Sequence, residues 1–188
     1  MPKISEIEYT PNPNAVKFLL KEPVALGFPK SFPSAEIAQT NELAKALFEV
    51  GHVVSVFMQD KWLTVTKTDN IKWPDLLPKL AAPIRTAAST NGQSGQSHEA
   101  AAKHEFNKIN DENDEILKKV RAILEESILP ALAADGGGLE IVGRVDKQVM
   151  IRYQGACNSC PSSLTGTLTA IEGMLQIEID PELVVISV

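Results

Sequence analysis

The chain is poor in cysteine and histidine, with two and three residues in 188. It also lacks any block of Lys and Arg, and its formal net charge is −6. A protein that meets nucleic acid usually needs a basic face, so no nucleic-acid partner is expected. No apolar run approaches the roughly 20 residues needed to cross a bilayer, so no membrane span is expected either. The first residues, Met1-Pro2-Lys3-Ile4, have neither the apolar core of a signal peptide nor the Arg- and Ser-rich character of a transit segment. These absences together lead to the expectation of a cytoplasmic protein. There cysteines stay reduced, and a closely spaced pair serves metal binding or catalysis rather than a structural disulfide. The hydrophobic content of 44% is ordinary for a globular chain, and the length suits one or two domains.

What little cysteine there is stands in one place. Cys157 and Cys160 fall within Gly155-Ala156-Cys157-Asn158-Ser159-Cys160-Pro161-Ser162-Ser163. Their spacing lets two sulfurs face one point from a tight turn. Behind Pro161, Leu164, Leu168, Ile171 and Leu175 mark one face of a helix. Proline suits the first helical position, where its missing N–H costs nothing. The pair is therefore expected on the turn entering a helix, where free N–H groups and the dipole favour thiolate. Gly155 is expected to supply a φ that other residues avoid. Asn158 and Ser159 have small side chains that let backbone N–H groups approach the sulfurs, or they simply serve the turn. Ser162 and Ser163 are placed to cap the helix or to bond to sulfide, with capping the favoured role.

The rest of the chain reads as two α+β domains, residues 1–87 and 111–188, joined by a flexible linker at 88–110. In the first, strands are expected at Ile4–Thr10, Ala15–Leu20, His52–Met58 and Trp62–Lys67. Helices are expected at Ala35–Val50, capped by Ser34, and at Trp73–Arg85, where Pro78 and Pro83 should kink or break the second. Pro23 to Pro33 reads as an irregular loop. In the second domain, Asp111 or Asn113 should cap a helix whose apolar stripe runs from Ile116 to Leu132, bent at Pro130. Asp135-Gly136-Gly137-Gly138 fits the end of that helix far better than a phosphate loop, because no Gly-Lys-Ser/Thr follows. Strands at Leu139–Val145, Lys147–Tyr153 and Leu183–Val188 complete a two-layer domain. Trp62 and Trp73 read as packing residues, and His52 has no Ser or Cys partner that would make it catalytic.

Ligand counting narrows the chemistry of the pair. A zinc site needs four ligands, and His52, His98 and His104 lie in the other domain or in or beside the linker. An iron–sulfur cluster also takes four thiolates, of which one chain supplies half. Two copies meeting turn to turn would supply the full set, since a symmetric pair presents the same patch on both sides. A cluster held in that way loses half its ligation when the dimer parts, which suits a carrier better than an electron-transfer protein. A thioredoxin-like dithiol would need the pair after a strand in a βαβ unit, and the domain reads as strand pairs instead. Three readings stay open: a bridging cluster carrier, a dithiol–disulfide oxidoreductase and a zinc-bridged dimer.

From about Asp114 to Val188 the chain resembles the C-terminal domain of the NifU and Nfu iron–sulfur cluster carriers. The likeness rests on Asp135-Gly136-Gly137, on Cys157-Asn158-Ser159-Cys160-Pro161-Ser162-Ser163 and on Ile171-Glu172. Residues 4–86 resemble the Nfu N-terminal domain, through Tyr9-Thr10-Pro11-Asn12-Pro13-Asn14, Lys17-Phe18 and the later hairpin. The family often carries an acidic residue where Gly138 stands, a departure that is expected to loosen the turn without touching the ligands. The resemblance implies a non-enzymatic carrier with Cys157 and Cys160 as metal ligands and a 4Fe–4S cluster bridging two subunits, a 2Fe–2S cluster being the alternative. It further implies a homodimer when loaded, apo iron–sulfur client proteins, an upstream cluster donor, and an N-terminal domain that docks clients or donors.

The Gly/Ser-rich run Ser89–Ser97 has no large apolar residue to offset the entropy of ordering it. Limited proteolysis is expected to cut there first. Uniform protection of this run in hydrogen exchange would contradict a flexible linker.

Overall fold

A computed structural model describes residues 4–87, 114–159 and 161–188, without the side chains of 27, 159 and 161–165. The expected linker at 88–110, the proposed caps Asp111 and Asn113, and Cys160 lie outside the described residues. The chain divides into two compact units, Met1–Glu99 and Ala100–Val188. Both combine helices with sheet, so the α+β class holds for each.

The first unit has five antiparallel strands: β1 (Ile4–Tyr9), β2 (Ala15–Leu20), β3 (Ala25–Phe32), β4 (Val53–Asp60) and β5 (Trp62–Lys67), in the order β1-β2-β5-β4-β3. Helices α1 (Ala35–Ala38), α2 (Glu42–Glu49) and α3 (Trp73–Thr86) complete it. Alternate strand residues Val16, Phe18, Leu63 and Val65 share a core with Leu47, Leu76, Leu80 and Ile84 from the helices. Burying each large side chain of this kind contributes roughly 1.5–3 kcal/mol.

Three features differ from the sequence expectation. Pro23 to Pro33 is not an irregular loop, because Ala25–Phe32 forms the edge strand β3 against β4. An edge strand has one row of N–H groups outside the ladder, so Pro29 is tolerated there. The expected helix Ala35–Val50 is two helices. Ser34 makes no side-chain capping bond, whereas Asn41 caps α2 by accepting a hydrogen bond from the Ala44 N–H at 2.9 Å. The third difference is α3, which runs unbroken through Pro78 and Pro83. Trp73, Leu76, Leu80, Ala81 and Ile84 are buried along it, and that packing outweighs the lost backbone bonds.

The turn Pro11–Asn14 is built by its own side chains. Asn12 Oδ1 accepts from the Asn14 N–H at 3.0 Å, and the Thr10 hydroxyl donates to the Asn12 carbonyl at 3.0 Å. Trp73 Nε1 donates to the Pro13 carbonyl at 2.9 Å, and Lys67 Nζ donates to Asn14 Oδ1 at 3.0 Å while lying over the Trp73 ring. The turn thus ties β2, β5 and α3 together.

The second unit begins with α4 (Glu115–Ile123), continues through a π-helical turn (Leu124–Ile128) and ends in α5 (Leu129–Ala134). The N-cap is Asp114, whose carboxylate accepts from the Ile116 and Leu117 N–H groups at 2.9 and 3.2 Å. Pro130 has no N–H to give the preceding turn, and the helix widens into the π-turn just before it instead of simply bending. Strands β6 (Gly137–Val145) and β7 (Gln148–Gly155) form a hairpin turning at Asp146, whose φ is +51°. Helix α6 (Pro161–Glu178) then leads to β8 (Val184–Ser187), which pairs with β7 in parallel. The sheet order is β6-β7-β8. The expectation of strand pairs without a βαβ unit is therefore corrected: β7–α6–β8 is a parallel crossover. The period-2 pattern of the last strand carries no sign of its direction, so the sequence alone did not reveal it.

Arg144 of β6 closes the front of this unit. Its Nε and Nη2 reach Asp114 Oδ2 at 2.9 and 2.7 Å, and its Nη1 donates to the Asp146 carbonyl. Burial of Asp114 opposes its charge, but the Arg144 hydrogen bond and the two amide donors outweigh burial and lower its pKa. A carboxylate with a lowered folded-state pKa stabilises at neutral pH, and that stabilisation is lost as pH falls through the folded pKa. Asp114→Ala is expected to cost about 1–2 kcal/mol at pH 7, the scale of a lost cap. Amide exchange along α4 in wild type and variant should show that gap narrowing in acid.

Candidate metal centre

The site forms where three glycines meet one cysteine. Gly136 takes the left-handed conformation, with φ of +79°, and its N–H bonds back to the Ala133 carbonyl at 3.1 Å, ending α5. Gly137 and Gly155 are opposite partners at the start of β6 and the end of β7. Gly155 also has a positive φ, +63°, so the chain leaves β7 in a direction a side chain would resist. The Ala156 N–H donates to the Gly136 carbonyl at 3.2 Å and straps the following turn to the glycine run. That turn is a single 3₁₀ turn, Ala156–Ser159, directly before α6.

Cys157 sits inside this strap, 1% exposed, in the same core as Tyr153, Ile171 and Leu175. Its sulfur lies over Gly137. A Cβ at Gly137 would stand 2.4 Å from Cys157 Sγ, 2.7 Å from the Gln154 carbonyl oxygen and 2.9 Å from the Cys157 nitrogen. Only a residue without a side chain fits there. Asn158 is exposed. Pro161 opens α6, so Ser162 and Ser163 fall within its first turn. Gly138 lies in β6 opposite Gln154, and the departure at this position stands in a paired strand.

Tyr153 is the feature the sequence reading passed over. It is 3% exposed, and its hydroxyl has no hydrogen-bond partner among the described residues. Burial pushes its pKa up to about 12, and negative charge on Cys157 adds to the rise. The phenol therefore stays protonated and keeps its O–H as a donor. Two signals were available: a buried tyrosine needs a partner for its hydroxyl, and a second glycine beyond the one a helix end requires points to close backbone approach.

Around this core, Glu172 Oε2 of α6 accepts from the Val185 N–H at 2.8 Å and holds β8 against the helix. Lys147 pairs with Asp180, tying the β6–β7 turn to the loop before β8. Among the described residues no group of three or more His, Cys, Asp or Glu side chains converges. What the arrangement offers is a buried thiol at the carboxyl end of the central strand, immediately before an 18-residue helix. Helix starts of this kind favour thiolate over thiol.

Residues 4–91 match the family model described as the scaffold protein Nfu/NifU N terminal, and residues 120–186 match the NifU-like domain. The chain is 33% identical over 172 residues to NifU-like protein 4, mitochondrial, of Arabidopsis thaliana, covering 90% of this chain and 60% of that one. It is 32% identical over 181 residues to the NFU1 iron-sulfur cluster scaffold homolog, mitochondrial, of Homo sapiens, covering 90% of this chain and 66% of that one. The chain thus spans somewhat under two thirds of the length of these curated relatives. Among solved structures, the protein SAV1430 of Staphylococcus aureus aligns at 27% identity with a TM-score of 0.38, over 43% of this chain and 96% of that one.

The contact at Gly137 gives a direct test. Gly137→Ala must push the cysteine turn off the β6–β7 pair, and overpacking of this sort costs about 1–3 kcal/mol. Gly173→Ala meets nothing within 4 Å and lies inside α6. It should stabilise by roughly 0.5–1 kcal/mol, as helix propensity dictates. Thermal melts of the two variants should move in opposite directions. A Gly137→Ala protein as stable as wild type would show that the sulfur does not rest on that backbone.

Proposed function

The chain belongs to the NifU/Nfu family, and on that premise we propose that it is an iron–sulfur cluster carrier, with Cys157 and Cys160 holding a cluster shared between two copies of the chain. The observation that carries this reading is the pinned turn: the chain's two cysteines flank it, and Cys157 is set into the backbone of the glycine pair. A cluster needs about four thiolates, so one chain supplies half and a second copy the rest. The cluster is the cargo, a 4Fe–4S type by family likeness, and it passes to apo-protein clients after arriving from a donor. The first unit recruits those partners. The role is carriage, not catalysis. The carrier works in the cytoplasm, a reducing compartment where both thiols stay available.

A second reading has one observation in its favour. The cysteine turn stands at the entry of the β7–α6–β8 crossover, the setting that a dithiol–disulfide oxidoreductase uses. A zinc-bridged dimer would draw on the same sulfurs.

Anaerobic reconstitution with ferrous iron and sulfide separates the three. The carrier reading expects a broad visible band toward the blue, iron and sulfide bound in proportion to a shared cluster, and conversion to dimer in sedimentation. Replacing either cysteine by serine should abolish stable uptake, since a hard oxygen replaces a soft thiolate. A strictly monomeric chain holding a complete cluster would refute the bridging. A colourless dimer with bound zinc would replace the carrier with the zinc reading, and a colourless, metal-free chain that cycles a disulfide would replace it with the oxidoreductase.

A further inference from the structure

We propose that the Tyr153 phenol is a hydrogen-bond donor to the Cys157 sulfur in the loaded protein, and so helps hold the cargo. The inference rests on the carrier reading above and adds a residue to it.

The geometry comes from the register of β6 and β7. Gly137 faces Gly155, and Leu139 faces Tyr153, with no register shift between these two pairs. Side chains two apart on a strand point to the same face. Tyr153 therefore shares a face with the space over Gly137, and that space is filled by Cys157 Sγ. Diagonal neighbours across an antiparallel pair lie about 7–8 Å apart, within reach of an aromatic side chain. Tyr153 and Cys157 also belong to one buried core.

The phenol has a reason to be there that packing does not supply. Leu, Ile or Phe would fill the position without stranding a hydroxyl, and an unpaired buried polar group costs roughly 1–3 kcal/mol. In the second unit it is the one buried side-chain oxygen or nitrogen without a partner among the described residues. A neutral thiol is a weak acceptor, whereas a metal-bound thiolate is a better one. The donor is thus stranded while the thiol is protonated and satisfied once the sulfur carries charge. Donors beside a ligand sulfur tune both affinity and redox potential.

Tyr153→Phe keeps the ring and removes only the O–H. Wild type and variant are reconstituted with ferrous iron and sulfide, and four readings are taken: the apo melting temperature, the Fe–S(Cys) stretching frequency, the reduction potential, and the half-life of the cluster against a chelator. The expected result is an apo melt equal to or above wild type, a shifted stretch, a lowered potential, and a half-life shorter by roughly tenfold. Identical spectra, potentials and half-lives in the two proteins would overturn the inference while leaving the carrier reading intact. A variant destabilised equally with and without iron would also overturn it, because the phenol would then be structural. A wild-type chain that takes up no iron would overturn the carrier reading, and this inference with it.

Discussion

The second unit depends on one steric fact: the backbone at Gly137 and the sulfur of Cys157 occupy neighbouring space that leaves no room for a side chain. Everything nearby follows from that approach. Gly136 must turn left-handed to end α5 and deliver the chain into β6 at the right place. Gly155 must do the same on the opposite strand, so that the chain rises out of the sheet and folds the cysteine back over its partner. The Ala156–Gly136 hydrogen bond then locks the turn to the run it covers. A ligand positioned by backbone bonds and van der Waals contact is held more stiffly than one positioned by long side chains, since few rotamers remain for it to explore.

That arrangement explains what was and was not legible in the sequence. The elements flanking the cysteines were readable from local pattern: an apolar stripe behind Pro161, alternation in β7, and a glycine run after a helix. The purpose of the second glycine was not. A helix end needs one left-handed residue, and Gly136 fills that need. The demand on Gly137 comes from a residue twenty positions later, which no local window contains. The direction of β8 was hidden for the same reason, because a strand reads alike in either orientation. In the first unit, the prolines of α3 misled because propensity is weak beside five buried side chains, and β3 was missed because edge pairing tolerates the proline that marked it as loop. Asn41 was read as a weak point within one helix and is the cap of a second.

The residues that carry the family likeness divide between chemistry and architecture. Thr10 to Asn14 make a self-bonded turn fastened to Lys67 and Trp73. Glu172 fastens β8 to α6 through a backbone amide. Neither reaches the cysteine turn with a side chain, so their recurrence in the likeness is accounted for by folding alone. Gly136, Gly137 and Gly155 belong to both classes, since the same backbone course that completes the sheet sets the sulfur.

Under the carrier reading, stiffness and release answer to different parts of the structure. A turn fixed before binding spends little further entropy when it takes a cluster, so uptake is favoured without any rearrangement of the second unit. Release would be slow if it required that turn to open, because Cys157 is buried and strapped at both sides. Shared ligation removes the difficulty. When each chain contributes half of the thiolates, parting the two copies breaks half the coordination while each turn keeps its shape. The hold on the cargo is then set by association between copies, a quantity that concentration and a competing client can shift by mass action. A pinned half-site is in this sense better suited to carriage than a complete one would be: the geometry that makes it selective for the cluster is not the interaction that must fail for the cluster to leave.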